Sequence, residues 1–361
     1  MNKDPFKEYI KQSEPSKREK GYAWHTAIGL QAVDGLKTSK YLIDMAIKNI
    51  EGDISIDEAQ ELLNAYYEEN PKSDKVDRTE EADKVAVRIA KILSEQAFSF
   101  TPNEYISIHK KLFAGIYEHA GKMREYNITK QEWILNGATV VYGSASELEA
   151  TLEYDFSEEK KFSYKNLTME EIIHHLAVFV SRLWQIHVFR EGNTRTTAVF
   201  LIKYLGTLGF DVTNDIFAEN AWFFRNALVR ANYNDLKNGI HETTEYVELF
   251  LRNLLLNEKN ELHNRMMHIS GTFEGKVDIE SEKVDIRNKI LSTSNTISEK
   301  TINHALEIFS KCGKNEYFGR TIVEDITGLK STRASELIKM LLDSRVIVPV
   351  NGHGKGKYRF Q

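Results

Sequence analysis

Residues 168–205 read TMEEIIHHLAVFVSRLWQIHVFREGNTRTTAVFLIKYL, and their pattern sets the fold around them. Thr168-Met169-Glu170-Glu171 is a capping box, the hydroxyl and the glutamate three residues on satisfying each other's backbone amides. Behind it Ile172, Leu176, Phe179, Leu183 and Ile186 recur at helical spacing. The helix is expected to end near His187, because Gly192-Asn193 cannot comfortably continue it. A second helix then starts around Arg195 and turns Val199, Leu201, Ile202 and Leu205 inward.

The junction carries chemistry. His187, with an ordinary pKa near ~6.5, can take a proton from an attacking hydroxyl at neutral pH. Phe189 can anchor the loop, and Glu191 is a hard oxygen ligand suited to Mg²⁺, which favours one or two carboxylates plus phosphates. Gly192, Asn193 and Thr194 bring backbone amides to a helix N-terminus, an anion site, and Arg195 can fork onto phosphate oxygens. A surface loop with a capping histidine and unrelated charges is the competing reading of the same nine residues.

Outward from this junction the chain reads as mainly helical. Tyr41, Leu42, Met45, Ala46 and Ile50 form one apolar face closed by Gly52-Asp53; Ser55-Ile56-Asp57-Glu58 is a second capping box before Ala59, Leu62, Leu63 and Tyr66. Asn70 to Asp74 marks a loop and a boundary. Thr101-Pro102-Asn103-Glu104 sets an N-cap and a first-turn proline. Between Asn127 and Tyr142, Trp133, Ile134, Gly137, Val140 and Val141 suggest a short hairpin. Four regions follow: a helical region at 1–75 with a loosely ordered start, a core at 76–255, a charged linker at 256–290, and 291–361. In the last, Ile322, Ile326 and Leu329, then Ala334, Leu337, Ile338 and Leu341, mark two helices split by Thr327-Gly328. Val346 to Val348 and Tyr358 to Phe360 flank a glycine-rich turn, the pattern of a winged helix-turn-helix.

Composition is that of an average soluble protein: 361 residues, 41% apolar, 28% charged, net charge −5. The single cysteine, Cys312, excludes an internal disulfide and a Cys-rich zinc site. A polar N-terminus and the lack of a ~20-residue apolar run lead to the expectation of a cytoplasmic protein without membrane contact. Residues 316–361 hold eight Lys/Arg against five acids, with Lys355, Lys357 and Arg359 at the wing, so DNA is a candidate partner there alongside protein docking.

The loop His187, Phe189, Glu191, Gly192, Asn193, Arg195 resembles the signature of the Fic (Fic/Doc) family in order and spacing. Gly121-Lys122-Met123-Arg124 and the hairpin after it are similar to that family's entrance and target-docking flap, and the resemblance spans about 80–255. It implies a Fic-type helical bundle with a small hairpin flap. It also implies a Mg²⁺-dependent protein adenylyltransferase, moving AMP from ATP to a Ser, Thr or Tyr hydroxyl of a protein, itself included. His187 is then the base, Glu191 the metal ligand, and Gly192, Asn193 (backbone and side chain), Thr194 and Arg195 the phosphate contacts. Residues 130–137 pair with an extended target by strand addition. Asn232 and Tyr233 fall where members often contact adenine. A homodimer is compatible with the family, though no motif fixes it.

Two departures stand out. The glycine after the asparagine is Thr194, and the second arginine is Ala198. The residues Leu30 to Gly35 resemble the family's inhibitory motif, with Asp34 and Gly35 as regulatory positions, but leucine replaces serine and aspartate replaces glutamate. With both halves of the inhibitory pair altered, Asp34 is expected not to clamp the site by a salt bridge. Removal of residues 1–70, or Asp34→Gly, is then expected to raise activity little. The same departures leave open transfer of phosphate or another nucleotide, or a DNA-binding regulator whose Fic-like part is a degenerate nucleotide sensor.

Overall fold

The computed structural model describes residues 15–70, 78–213, 215–270, 286–287, 289–290, 297–312, 317–350 and 356–360. Residues 1–14 of the expected loose start, the Pro71–Asp74 part of the boundary loop, residues 271–285 and 288 of the expected 256–290 linker, and Lys355 of the wing lie outside them. The chain divides after Ile269 into two compact units, each with a separate apolar core.

The larger unit is helical. It comprises α1 (Pro15–Gly29), α2 (Lys40–Glu51), α3 (Ile56–Glu69), α4 (Thr79–Ser94), α5 (Pro102–Phe113), α6 (Leu148–Lys161), α7 (Met169–Ile186), α8 (Asn193–Thr207), α9 (Ile216–Ala231) and α10 (Glu245–Leu256). Local chemistry starts several of them. Ser55 and Thr168 each complete a reciprocal capping box, and Thr101 accepts from the Glu104 amide ahead of Pro102. Gly52 closes α2 in the left-handed conformation. The buried residues of α7 face α6, α8, α9 and α10, so this helix is the axis of the bundle.

The N-terminal helices do not form a unit of their own. Trp24, Ala27, Leu30 and Val33 are buried in one cluster with Val85, Leu176, Phe200 and Phe224. Gly29 brings α1 against α9, where a β-carbon would lie 2.4 Å from the Ala218 backbone. Buried Asp83 on α4 accepts from Ser39 Oγ and from Tyr67 Oη (2.7 Å), which ties the starts of α2 and α4 to α3. Residues past Leu256 also belong to this core rather than to a linker. Met267 is buried, and the Ile269 amide donates to the Ile134 carbonyl.

The expected hairpin at 127–142 is not a pair of strands. Trp133–Leu135 is a single 3-10 turn, Asn136 and Gly137 are left-handed, and the loop is closed by the Glu132 amide on the Ala138 carbonyl. The amide of Lys130 goes to the Thr139 hydroxyl instead of a ladder carbonyl. Burial of Ile134, Leu135 and Val140 outweighs strand pairing here.

In the smaller unit, α11 (Glu299–Cys312), α12 (Arg320–Thr327) and α13 (Ser331–Asp343) precede β1 (Ile347–Pro349) and β2 (Tyr358–Phe360). Gly328 makes the left-handed turn between α12 and α13. The strands pair antiparallel with Ile347 opposite Phe360, and Phe318 bridges to Tyr358. These are the sole strands among the described residues.

Candidate active site

The site grows from the end of α7. His187 is its left-handed cap, φ 50° and ψ 57°, an uncommon state for a residue other than glycine. Arg124 holds it there. Its guanidinium donates to the carbonyls of His187 (2.8 Å), Tyr126 (2.7 Å), Ile186 (3.3 Å) and Gly143, and its own amide donates to the Val188 carbonyl. The Ile186 and His187 carbonyls are ones that a helix end leaves without an intrahelical donor.

Two side chains then shape residues 188–193. The Asn193 amide spans Phe189, accepting from its N–H (2.9 Å) and donating to its carbonyl (2.7 Å). His109 lies flat on the Phe189 ring at 3.7 Å, accepts the Gly121 N–H at Nδ1 and donates from Nε2 to the Glu191 carbonyl, both at 2.9 Å. That pairing requires the neutral imidazole, and burial pulls its pKa down to about 4. Gly192 adopts φ +77°, and a β-carbon there would sit 2.4 Å from the Phe113 ring. Its closest approach is therefore to Phe113, where the sequence reading placed a phosphate.

Within this frame His187 is 3% exposed, and neither ring nitrogen has a hydrogen-bond partner among the described residues. Burial, reinforced by Lys130, Arg124 and Arg225, holds its pKa well below the usual value, so the ring is a neutral proton acceptor. The Glu191 carboxylate is half exposed, with Lys130 Nζ at 3.9 Å. No side chain caps the N-terminus of α8, which leaves its first-turn amides without an internal acceptor. An open carboxylate beside an uncapped helix start fits Mg²⁺ carrying phosphates. No group of three acidic, His or Cys ligands occurs among the described residues, and such an ion does not need one.

Arg195 has a different setting from the expected open phosphate fork. Its side chain is fully buried, and Nη2 pairs with Asp34 Oδ2 and Glu81 Oε1, both at 2.8 Å. Gln31 and Tyr117 Oη add 3.1 and 3.2 Å contacts, and Phe113 lies 4.8 Å from the guanidinium carbon. Burial opposes its charge, but Asp34, Tyr117 and Glu81 outweigh it and keep the arginine protonated. The expectation that Asp34 makes no salt bridge is thus overturned. The shorter aspartate reaches because Leu30–Asp34 tightens into a 3-10 helix capped by left-handed Gly35. The bridge goes to Arg195, so loss of an arginine at Ala198 does not remove its partner.

Other expected contacts are placed elsewhere. Thr194 Oγ1 accepts from Trp184 Nε1 (2.9 Å). Asn232 Nδ2 donates to the carbonyls of Ser181 and Leu228, tying α9 to α7 upstream of His187, and the Tyr233 carbonyl accepts from Arg230. Neither residue is brought to His187 or Glu191 by a described contact. Sequence reasoning did not identify His109, Gln31, Glu81 or Tyr117; Glu81 looks like an ordinary first-turn acid of α4, and no local signal separates it. Arg124 was visible in its motif, but its carbonyl-binding role was not.

Residues 99–205 match the model of the Fic/DOC family. Over 108 residues the chain is 29% identical to protein adenylyltransferase VbhT of Bartonella schoenbuchensis, an alignment covering 30% of this chain and 21% of that protein. The chain therefore spans about a fifth of the length of this curated relative. A solved Fic family protein from Desulfovibrio desulfuricans G20 aligns with 99% of this chain and 92% of its own, at 10% identity and a TM-score of 0.45. The histidine, the glutamate and the uncapped helix start all lie within the matched segment, and residues 99–205 are a Fic/DOC family domain.

Proposed function

We propose that this protein transfers AMP from ATP to a hydroxyl of a protein. The observation that carries the reading is the free, neutral imidazole of His187, four residues before a half-exposed carboxylate and a helix start with no cap. The target hydroxyl gives its proton to His187 as its oxygen attacks the α-phosphorus. A new P–O bond forms, the bond to the β-phosphate oxygen breaks, and pyrophosphate leaves. First-turn amides of α8 receive the charge that develops on the phosphate oxygens. Glu191 would hold Mg²⁺, which would supply neutralisation of the phosphate charge.

Asp34 restrains the reaction. While it holds Arg195, that guanidinium is withheld from the departing phosphates. Residues 291–361 act as a winged helix, α13 following α12 across the Gly328 turn, with exposed Lys330, Arg333, Lys339 and Arg359 available to DNA phosphates.

A second reading has one observation in its favour. Ala198 is fully buried where the family places its second arginine, so nothing at that position holds a γ-phosphate. Transfer of phosphate or of another nucleotide fits that loss. ATP labelled at the α- or the γ-phosphate, incubated with the protein and Mg²⁺, separates the readings. Protein-bound α-label that falls about 10²–10⁴-fold in His187→Ala supports AMP transfer. Label from the γ-position alone points to a kinase. No label, with salt-dependent DNA binding, leaves a regulator. Equal labelling by His187→Ala removes the histidine from the mechanism.

A further inference from the structure

In nucleophile–base pairs a third group usually orients the base through a hydrogen bond. His187 has no side-chain partner of that kind: neither ring nitrogen makes a hydrogen bond of good geometry among the described residues, and the Trp184 backbone exerts only a weak pull on the ring. Two aromatic rings bracket it instead. Tyr142 lies 4.4 Å away at 45°, and Trp184 meets it edge to face at 5.3 Å. The two rings also touch each other, 5.8 Å apart.

Each ring is pinned by its polar end, one to a helix start and the other to a buried loop carboxylate. Trp184 Nε1 donates to Thr194 Oγ1 at 2.9 Å, inside the first turn of α8. Tyr142 Oη donates to Glu132 Oε1 at 3.3 Å. Glu132, only 2% exposed, is in turn bound by Arg225 of α9 at 2.8 Å. A buried ion pair is a costly way to fill a core, since apolar groups of similar volume often serve as well or better. Here it fixes the far end of one tyrosine beside the candidate base. Thr194, the departure from the family's glycine, supplies the other pin.

We propose that Thr194 and the Glu132–Arg225 pair are positioning residues that set the His187 imidazole through Trp184 and Tyr142. The ring is held by packing, and its buried nitrogens have no hydrogen-bond partner among the described residues. The inference rests on His187 being the transfer base, and its test separates the two ideas.

The full chain is assayed with α-labelled ATP, and its histidine ring signals are followed by NMR. Thr194→Val keeps shape and loses the acceptor; Thr194→Ser keeps the acceptor; Tyr142→Phe keeps the ring and loses the pin. Thr194→Val and Tyr142→Phe are expected to lower kcat about tenfold or more with little change in KM for ATP, Thr194→Ser to stay near wild type, and the His187 signal to shift or broaden in the first two only. Unchanged kcat in Thr194→Val and Tyr142→Phe overturns the proposal, as does an unmoved His187 signal. If the wild type shows no transfer that depends on His187, the base assignment fails, and the NMR arm still decides whether the pins set the ring.

Discussion

His109 belongs to no motif, yet it couples the 187–193 loop to the rest of the domain through one protonation state. It must be neutral to accept from Gly121 and donate to Glu191. Its pKa is about 4 in the folded protein against 6.5 for the free group. Below pH 6.5 the unfolded chain takes up the proton and the folded one resists it, so this contribution is complete above about pH 6.5 and lost as pH falls towards 4. At ~1.4 kcal/mol per unit it is on the order of 3 kcal/mol. His109→Phe keeps the stacking surface and cannot titrate. Its melting temperature at pH 7.5 is expected to be lower than that of the wild type, and to fall less between pH 6.5 and 4.5. Parallel pH curves for the two proteins would count against the assignment. Sequence could not single out this histidine, because its three partners come from residues 121, 189 and 191, brought together only by packing.

Among the elements, those whose determinants are local were legible, and those fixed by distant partners were not. The capping boxes at Ser55 and Thr168 and the stop at His187 follow from neighbouring residues. The 127–142 flap did not become a hairpin because Glu132 reaches out to Arg225 and Tyr142 turns into the core. The Leu30–Asp34 turn shows the same effect: its weakened motif still delivers a carboxylate to Arg195, through a partner 161 positions further along, on α8. Asp34→Ala frees one side of Arg195 while Glu81 remains. We expect its transfer rate to rise by roughly 5–150-fold, the usual range of a coupling between sites, with the domain still folded. A rate within twofold of wild type in a correctly folded variant would show that the bridge restrains nothing.

At the scale of the whole molecule two separate cores predict two separate unfolding events. The apolar cluster that includes Trp24, Trp184 and Phe250 shares no residue with the one that includes Phe309, Leu341 and Phe360. Calorimetry of the full chain is expected to give two transitions, and residues 270–361 alone to reproduce one of them. A single transition lost on separating the units would refute this. The shared cluster also changes what removal of residues 1–70 means. That cut takes Trp24, Leu42 and Leu63 out of the large core, so it is expected to unfold the domain rather than to report on inhibition.

Read alone, the chain determined a helical bundle around 168–205, the ends of its main helices, and the chemical character of the loop at 187–195, since caps, periodicity and residue types act over a few positions. Tertiary structure decided that Arg195 faces two carboxylates, that His187 stands between pinned aromatic rings, and that the N-terminal helices share one apolar core with the 168–205 helices. Those outcomes depend on which distant groups meet in a buried, low-dielectric space, where an ion pair or an unbonded nitrogen has consequences that sequence neighbours do not reveal.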